Sequence, residues 1–223
     1  MPHSDHHVLI RDGRPCCAVV LPGGATAVQQ LAAEELCTHL TLACGQPVPL
    51  IPFGKAEQLG PGTVRLIPGG PEAASLGADE YAVQSRGKAI HFAGCDRGEI
   101  DGSPRAIVGV SSPGTLYAVY HFLDRYLGVR WLWPGADGTY VPRHSELVVP
   151  RQNLRTRPDL ERRCIRAPLA LDMPHAHLTD TEWAQVCRDA VLWSFRHFMG
   201  SRSDLQFTHS FAHWWERYHG AHP

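Results

Sequence analysis

Apolar positions along the first 150 residues fall into short β-like runs broken by two long helical periods. Val8–Arg11 and Cys17–Leu21 read as strands on either side of the turn-forming Asp12-Gly13 pair. After Pro22-Gly23-Gly24, Thr26 stands where an N-cap belongs and Gln29 three residues on completes a capping box. Val28, Leu31, Ala32, Leu36, Leu40 and Ala43 then recur on one face, and Gly45 supplies the stop, which predicts an amphipathic helix. Pro47–Ile51, Thr63–Ile67, Tyr81–Ser85 and Ala89–Ala93 read as four further strands separated by Gly and Pro clusters. The polar stretch from Cys95 to Ser112 is loop-like, with room for one strand at Ala106–Val110.

A second helix is expected from Ser112-Pro113, serine as cap and proline in the first turn, with Leu116, Val119, Tyr120, Leu123 and Leu127 on its apolar face and Gly128 ending it. Val129–Trp133, Tyr140–Val141 and Glu146–Val149 follow as strands. The pattern predicts an α/β (α+β) unit: a small sheet with two helices on one face. Residues 151–158 have no apolar period and read as a linker after a first domain spanning 1–150.

Beyond the linker, residues 159–223 repeat strand, helix, strand. Arg162–Ile165 reads as a buried strand. Thr179 and Glu182 form another capping box ahead of a helix carrying Trp183, Val186, Cys187, Ala190 and Ser194, and Phe195–Met199 reads as the start of the next strand. This is the opening order of a (β/α) barrel. A whole barrel takes roughly 250 residues, and about 65 remain after residue 158, so the expectation is an incomplete barrel.

Several short motifs point the same way. Ala32-Ala33-Glu34-Glu35-Leu36, the run from Gly114 to Leu123, Leu127-Gly128-Val129-Arg130-Trp131-Leu132-Trp133-Pro134 and Gly138-Thr139-Tyr140-Val141-Pro142 together resemble the N-terminal domain of alpha-glucuronidases (glycoside hydrolase family 67). They also resemble the related front domain of beta-hexosaminidases and, most nearly, bacterial proteins carrying domain of unknown function 4838. The likeness spans residues 8–150 well and 158–223 more weakly. It implies a small α/β domain ahead of a catalytic barrel whose carbohydrate substrate is hydrolysed by acids on later strands, absent from this sequence. The roughly twenty residues from Gly94 to Pro113 depart from the family's short turn.

Composition narrows the field without choosing within it. The chain has 223 residues, 43% of them apolar and 19% charged, which is ordinary globular make-up with enough chain for a core. A net charge of −1 gives no bulk attraction to nucleic acid, and no apolar run is long enough to span a bilayer. Met1 to His7 is polar and shows no secretory leader, so the sequence as written reads as cytoplasmic unless an export segment preceded it. Seven cysteines, an odd number without a CxxC pair, read as free thiols.

Candidate chemistry is sparse. Glycosidases work with two carboxyl groups about the scissile bond. The local carboxylates are Asp172, Asp180 and Glu182, the last explained by capping, and no catalytic residue is assigned. The resemblance to beta-hexosaminidases implies that Arg163 or Arg166, on the first barrel strand, holds a sugar hydroxyl with its planar fork of donors; a structural ion pair is the alternative. His209 is a further candidate for a hydroxyl contact. His175-Ala176-His177 lacks a third ligand at recognisable spacing, and no metal is expected. Trp193, Trp214 and Trp215 could stack on sugar rings or pack in a core. Pro22-Gly23-Gly24 lacks both phosphate-loop fingerprints, GxSxG and HExxH are missing, and no cofactor is expected. A binding or scaffold module without hydrolytic role is the competing reading. An oxidoreductase has no fingerprint behind it.

Overall fold

The computed structural model describes residues 5–97, 112–160, 162–163, 177–201, 215 and 218–220. In chain order the strands are β1 (His6–Arg11), β2 (Arg14–Pro15), β3 (Cys17–Leu21), β4 (Leu50–Pro52), β5 (Val64–Pro68), β6 (Tyr81–Arg86), β7 (Ala89–Gly94), β8 (Asp96–Arg97), β9 (Ser112–Pro113), β10 (Arg130–Trp131), β11 (Thr139–Tyr140), β12 (Leu147–Pro150), β13 (Asn153–Thr156), β14 (Arg162–Arg163) and β15 (Gly200–Ser201). The helices are α1 (Ala27–Cys44), α2 (Gly114–Phe122) and α3 (Asp180–Arg196).

A six-stranded mixed sheet, in the order β13-β6-β7-β5-β3-β4, is the centre of the protein. β4, β3, β5 and β7 run parallel, and β6 and β13 pair antiparallel at one side. Central β3 is buried on both faces from Cys17 to Val20, as a parallel strand with covered faces must be. α1 and α2 lie together over one face, so the protein is α+β with two helices on one side of its main sheet. Two 3₁₀ turns, Phe53–Gln58 and Pro71–Ser75, cover patches of the other face, with Ala56 meeting Val20 and Ile67, and Ala73 meeting Ala82 and Ala93. A second sheet, β12-β1-β2, adds Leu9, Ile10, Leu147 and Val149 to the main core.

α1 begins and ends as its sequence demands. Thr26 Oγ1 accepts from the Gln29 amide while Gln29 Oε1 accepts from the Thr26 amide, and Gly45 takes the left-handed conformation at φ 77°. α2 starts differently. Ser112 and Pro113 form β9, and no side chain at Pro113 caps the helix. The cap comes from Asp96, whose Oδ1 accepts from the Thr115 amide at 2.8 Å and whose Oδ2 accepts from Thr115 Oγ1 at 2.7 Å.

Three expectations for the second half need correction. The stretch 151–158 is not a bare linker, because Asn153–Thr156 is β13, paired from Asn153↔Gln84 to Thr156↔Tyr81. As a sheet-edge strand it buries little, so it carries no apolar period to read. The apolar run Phe195–Met199 does not start a strand: Phe195 and Arg196 still belong to α3, and β15 begins at Gly200. Finally, β14 and β15 pair antiparallel (Arg162↔Ser201, Arg163↔Gly200), whereas successive strands of a (β/α) barrel run parallel. The possible strand at Ala106–Val110 lies outside the described residues.

Candidate functional site

α2 is buried on every side: from Gly114 to Phe122 all residues but His121 are buried. A helix apolar on one stripe needs only a sheet beneath it; one buried all round needs a second cover. That cover is α3 and the turn after it. Tyr117 Oη donates to the Met199 carbonyl at 2.8 Å. Phe198, held at φ 56°, packs against Tyr81 and Tyr117 with ring centres 5.9 and 5.3 Å away. Trp193 Nε1 donates to the Trp131 carbonyl at 3.0 Å.

Two buried ion pairs fasten this contact. In the first, Arg196 at the end of α3 grips Glu35 of α1, Nη2 donating to Oε1 at 3.0 Å and to Oε2 at 2.9 Å, with Nε to Oε2 at 3.2 Å. Their side chains are only 9% and 10% exposed, so both charges depend on each other. Burial works against the charged guanidinium, yet Glu35 and Tyr120 hold the Arg196 pKa above its ordinary value. The Tyr120 and Trp131 rings flank the guanidinium at 6.0 and 5.7 Å. Burial also keeps His39 below its usual pKa. The neutral ring accepts from Trp131 Nε1 at 3.1 Å and faces the Glu35 carbonyl with Nδ1 at 2.8 Å.

The second pair joins Arg163 of β14 to Asp79, Nη2 to Oδ2 at 3.0 Å, with exposures of 11% and 2%. Asp79 sits at φ 60° in the turn before β6, its amide donating to Ser112 Oγ at 2.9 Å. Ser112 in turn donates to the Cys95 carbonyl at 3.0 Å. Arg163 also donates from Nε to the Phe198 carbonyl and from Nη1 to the Leu160 carbonyl. All three of its nitrogens are therefore engaged with protein groups.

These placements sort the residues singled out from the sequence. Arg163 lies in an ion pair, the alternative weighed beside sugar contact, while Arg166 and His209 lie outside the described residues. Asp172, His175 and Trp214 lie outside them too. Glu182 accepts from the Thr179 amide at 2.7 Å, and its pKa is lowered by that bond and by the Thr179 hydroxyl. Trp193 packs against α2's surroundings, and Trp215 is exposed, stacked on His219 at 5.2 Å. Among the described residues no group of three His, Cys, Asp or Glu side chains could hold a metal, and no helix is long and apolar enough to cross a membrane. The described cysteines, Cys16, Cys17, Cys37, Cys44, Cys95 and Cys187, are free thiols.

Glu35, Asp79, Asp96 and Arg196 were not singled out in the sequence, although one of them left a trace. Glu35 stands four residues after Leu31 and seven after Val28, on the apolar face of α1, where a carboxylate demands a partner. Nothing in the sequence names Arg196, 161 residues away, as that partner.

Compared with known proteins, the chain matches no family model, and no curated protein is significantly similar to it.

Proposed function

We propose that this chain is the non-catalytic front part of a carbohydrate-active enzyme, whose α/β unit holds the segment beginning at Arg162 in place for a catalytic domain. The observation behind this reading is the pair of buried ion pairs, Glu35–Arg196 and Asp79–Arg163, that spans α2 from both ends. A docking geometry that separated either pair would leave a buried charge alone, which is costly, and a brace needs such alternatives disfavoured. The carboxylates near this contact are already committed: Glu35 and Asp79 to arginines, Asp96 and Glu182 to helix caps. Hydrolysis of a glycoside needs two carboxyl groups free to face the bond. The link to carbohydrates comes from the sequence motifs, a likeness rather than a mechanism.

The test is direct. Purified protein incubated with aryl glycosides and aryl glucuronides is expected to release no chromophore above the buffer rate, and clear turnover refutes the reading.

A second reading, a carbohydrate-binding or scaffold module with no enzymatic partner domain, draws support from the β10–β11 hairpin. There Leu132, Trp133 and Tyr140 are 75%, 68% and 59% exposed. Exposed aromatic rings suit the apolar faces of sugars. Oligosaccharide binding lost on Trp133→Ala would favour this second reading over the brace.

A further inference from the structure

An open cleft of about 490 Å³ lies where the small sheet meets the start of the large one, lined by His6, Val8, Arg11, Cys16, Thr63 and Lys88 with the backbone of Gly62. It sits at the N-terminal ends of β3, β5 and β7 and shares no residue with the α3 contact. Its size is within the ordinary range of small-ligand sites.

The charge of this lining is one-sided. Arg11, Lys88 and His6 contribute cationic or titratable nitrogen, and no carboxylate is among the lining residues. Elsewhere on the surface, exposed arginines have found acids: Arg86 pairs with Glu72, Arg130 with Asp124 and Arg155 with Glu80. Among the described residues Arg11 and Lys88 make no such pair. Lys88 is one of only two lysines in the chain. Gly62 and Thr63 line the cleft together with the cations. His7, buried next to the cleft, has its pKa lowered to about 4, chiefly by burial and then by Arg151, Lys88 and His6.

We propose that this cleft binds a tetrahedral oxyanion, a phosphate or sulfate group, between Arg11 and Lys88. An arginine presents a planar fork to two oxygens, a lysine a point charge to a third, and a hydroxyl can serve the fourth. A carboxylate, with two oxygens, leaves part of this set unused. The cleft shares no residue with the Glu35–Arg196 or Asp79–Arg163 pairs, so its fate and that of the proposed brace are independent.

The experiment is a titration of the isotope-labelled protein with inorganic phosphate, sulfate and acetate in a buffer free of other oxyanions, followed by amide NMR and repeated on Arg11→Gln and Lys88→Gln. Both side chains are exposed, so the variants should keep the native spectrum outside the cleft. The expected result is saturable shifts at Gly62, Thr63 and Lys88 with millimolar phosphate or sulfate, weaker shifts with acetate, and affinity lowered about tenfold by each substitution. Added chloride should weaken binding, because an exposed site is screened. Three results would overturn the proposal: no saturable shift with phosphate or sulfate, equal affinity for acetate, or unchanged affinity in both variants.

Discussion

A methyl group placed on Gly114 would lie 2.6 Å from the Cys95 amide nitrogen and 2.9 Å from the Glu80 carbonyl oxygen, and one on Gly94 would lie 1.9 Å from the Gly114 carbonyl carbon. Backbone meets backbone there, and no flexible side chain can step aside. Gly114→Ala should therefore destabilise by about 3 kcal/mol or more, although alanine favours helices over glycine. Gly54→Ala, which meets nothing within 4 Å, should change stability by less than about 0.5 kcal/mol. Urea unfolding of both variants checks the contrast; equal midpoints would refute it. Two single titrating groups set a further expectation. Burial, with Arg151, Lys88 and His6 behind it, lowers the His7 pKa from 6.5 to about 4. The unfolded chain then binds a proton that the folded one refuses, and stability falls as pH drops from 6.5 toward 4, by about 3 kcal/mol in the limit. Asp96 behaves oppositely: burial raises its pKa from 3.8 to about 6 against the bonds from Thr115. Its contribution is complete below 3.8 and is lost as pH rises through 6. The two contributions offset each other across one window. His7→Gln should turn the pH dependence of the urea midpoint between 4 and 6.5 toward greater stability in acid, relative to the native protein, and Asp96→Asn should turn it the other way. Parallel curves for all three proteins would contradict this.

The helices show what can be read from a chain and what cannot. The α1 boundaries follow from Thr26, Gln29 and Gly45, because capping is a local negotiation within a few residues. The α3 start follows from Thr179 and Glu182 for the same reason. α2 is the counterexample. Ser112 and Pro113 look like its cap, yet Asp96 performs that task from 19 residues upstream, and Ser112 instead holds the Asp79 turn. Its stripe of Leu116, Val119, Tyr120, Leu123 and Leu127 was legible, whereas the burial of Tyr117 and Phe122 was not, since Phe198 after α3 covers the one and Phe92 of β7 the other. β13 was hidden for the converse reason: an edge strand reading Asn-Leu-Arg-Thr gains its pairing from the backbone and carries only Leu154 as an apolar residue, too little for a period. If Asp96 is the cap, Asp96→Ala should cost about 1–2 kcal/mol, while Ser112→Ala should leave the α2 N-terminal amides as protected as before. Hydrogen exchange at Thr115 and Leu116 in each variant distinguishes the two; faster exchange in Ser112→Ala alone would return the cap to Ser112.

Across the whole molecule, α3 and β14 are joined to the α/β unit by charges that are about nine-tenths buried or more. Arg196→Met leaves the Glu35 carboxylate buried alone and should cost about 3–5 kcal/mol, whereas Glu35→Leu combined with Arg196→Met should recover most of that loss. The coupling, read from denaturant unfolding of the two single variants and the double, should be far from additive. Additive losses would mean that the pair contributes no docking specificity. Chain order adds a final consequence. β1 runs beside β12 from His6↔Pro150 onward, so a strand made early in the α/β unit takes one of its neighbours from near that unit's end. At ordinary elongation rates that neighbour arrives on the order of ten seconds later. Through that interval the outer edge of β1 is open to any other extended backbone nearby. Slow completion and a need for early shielding are thus built into the connectivity, independent of how stable the finished protein becomes.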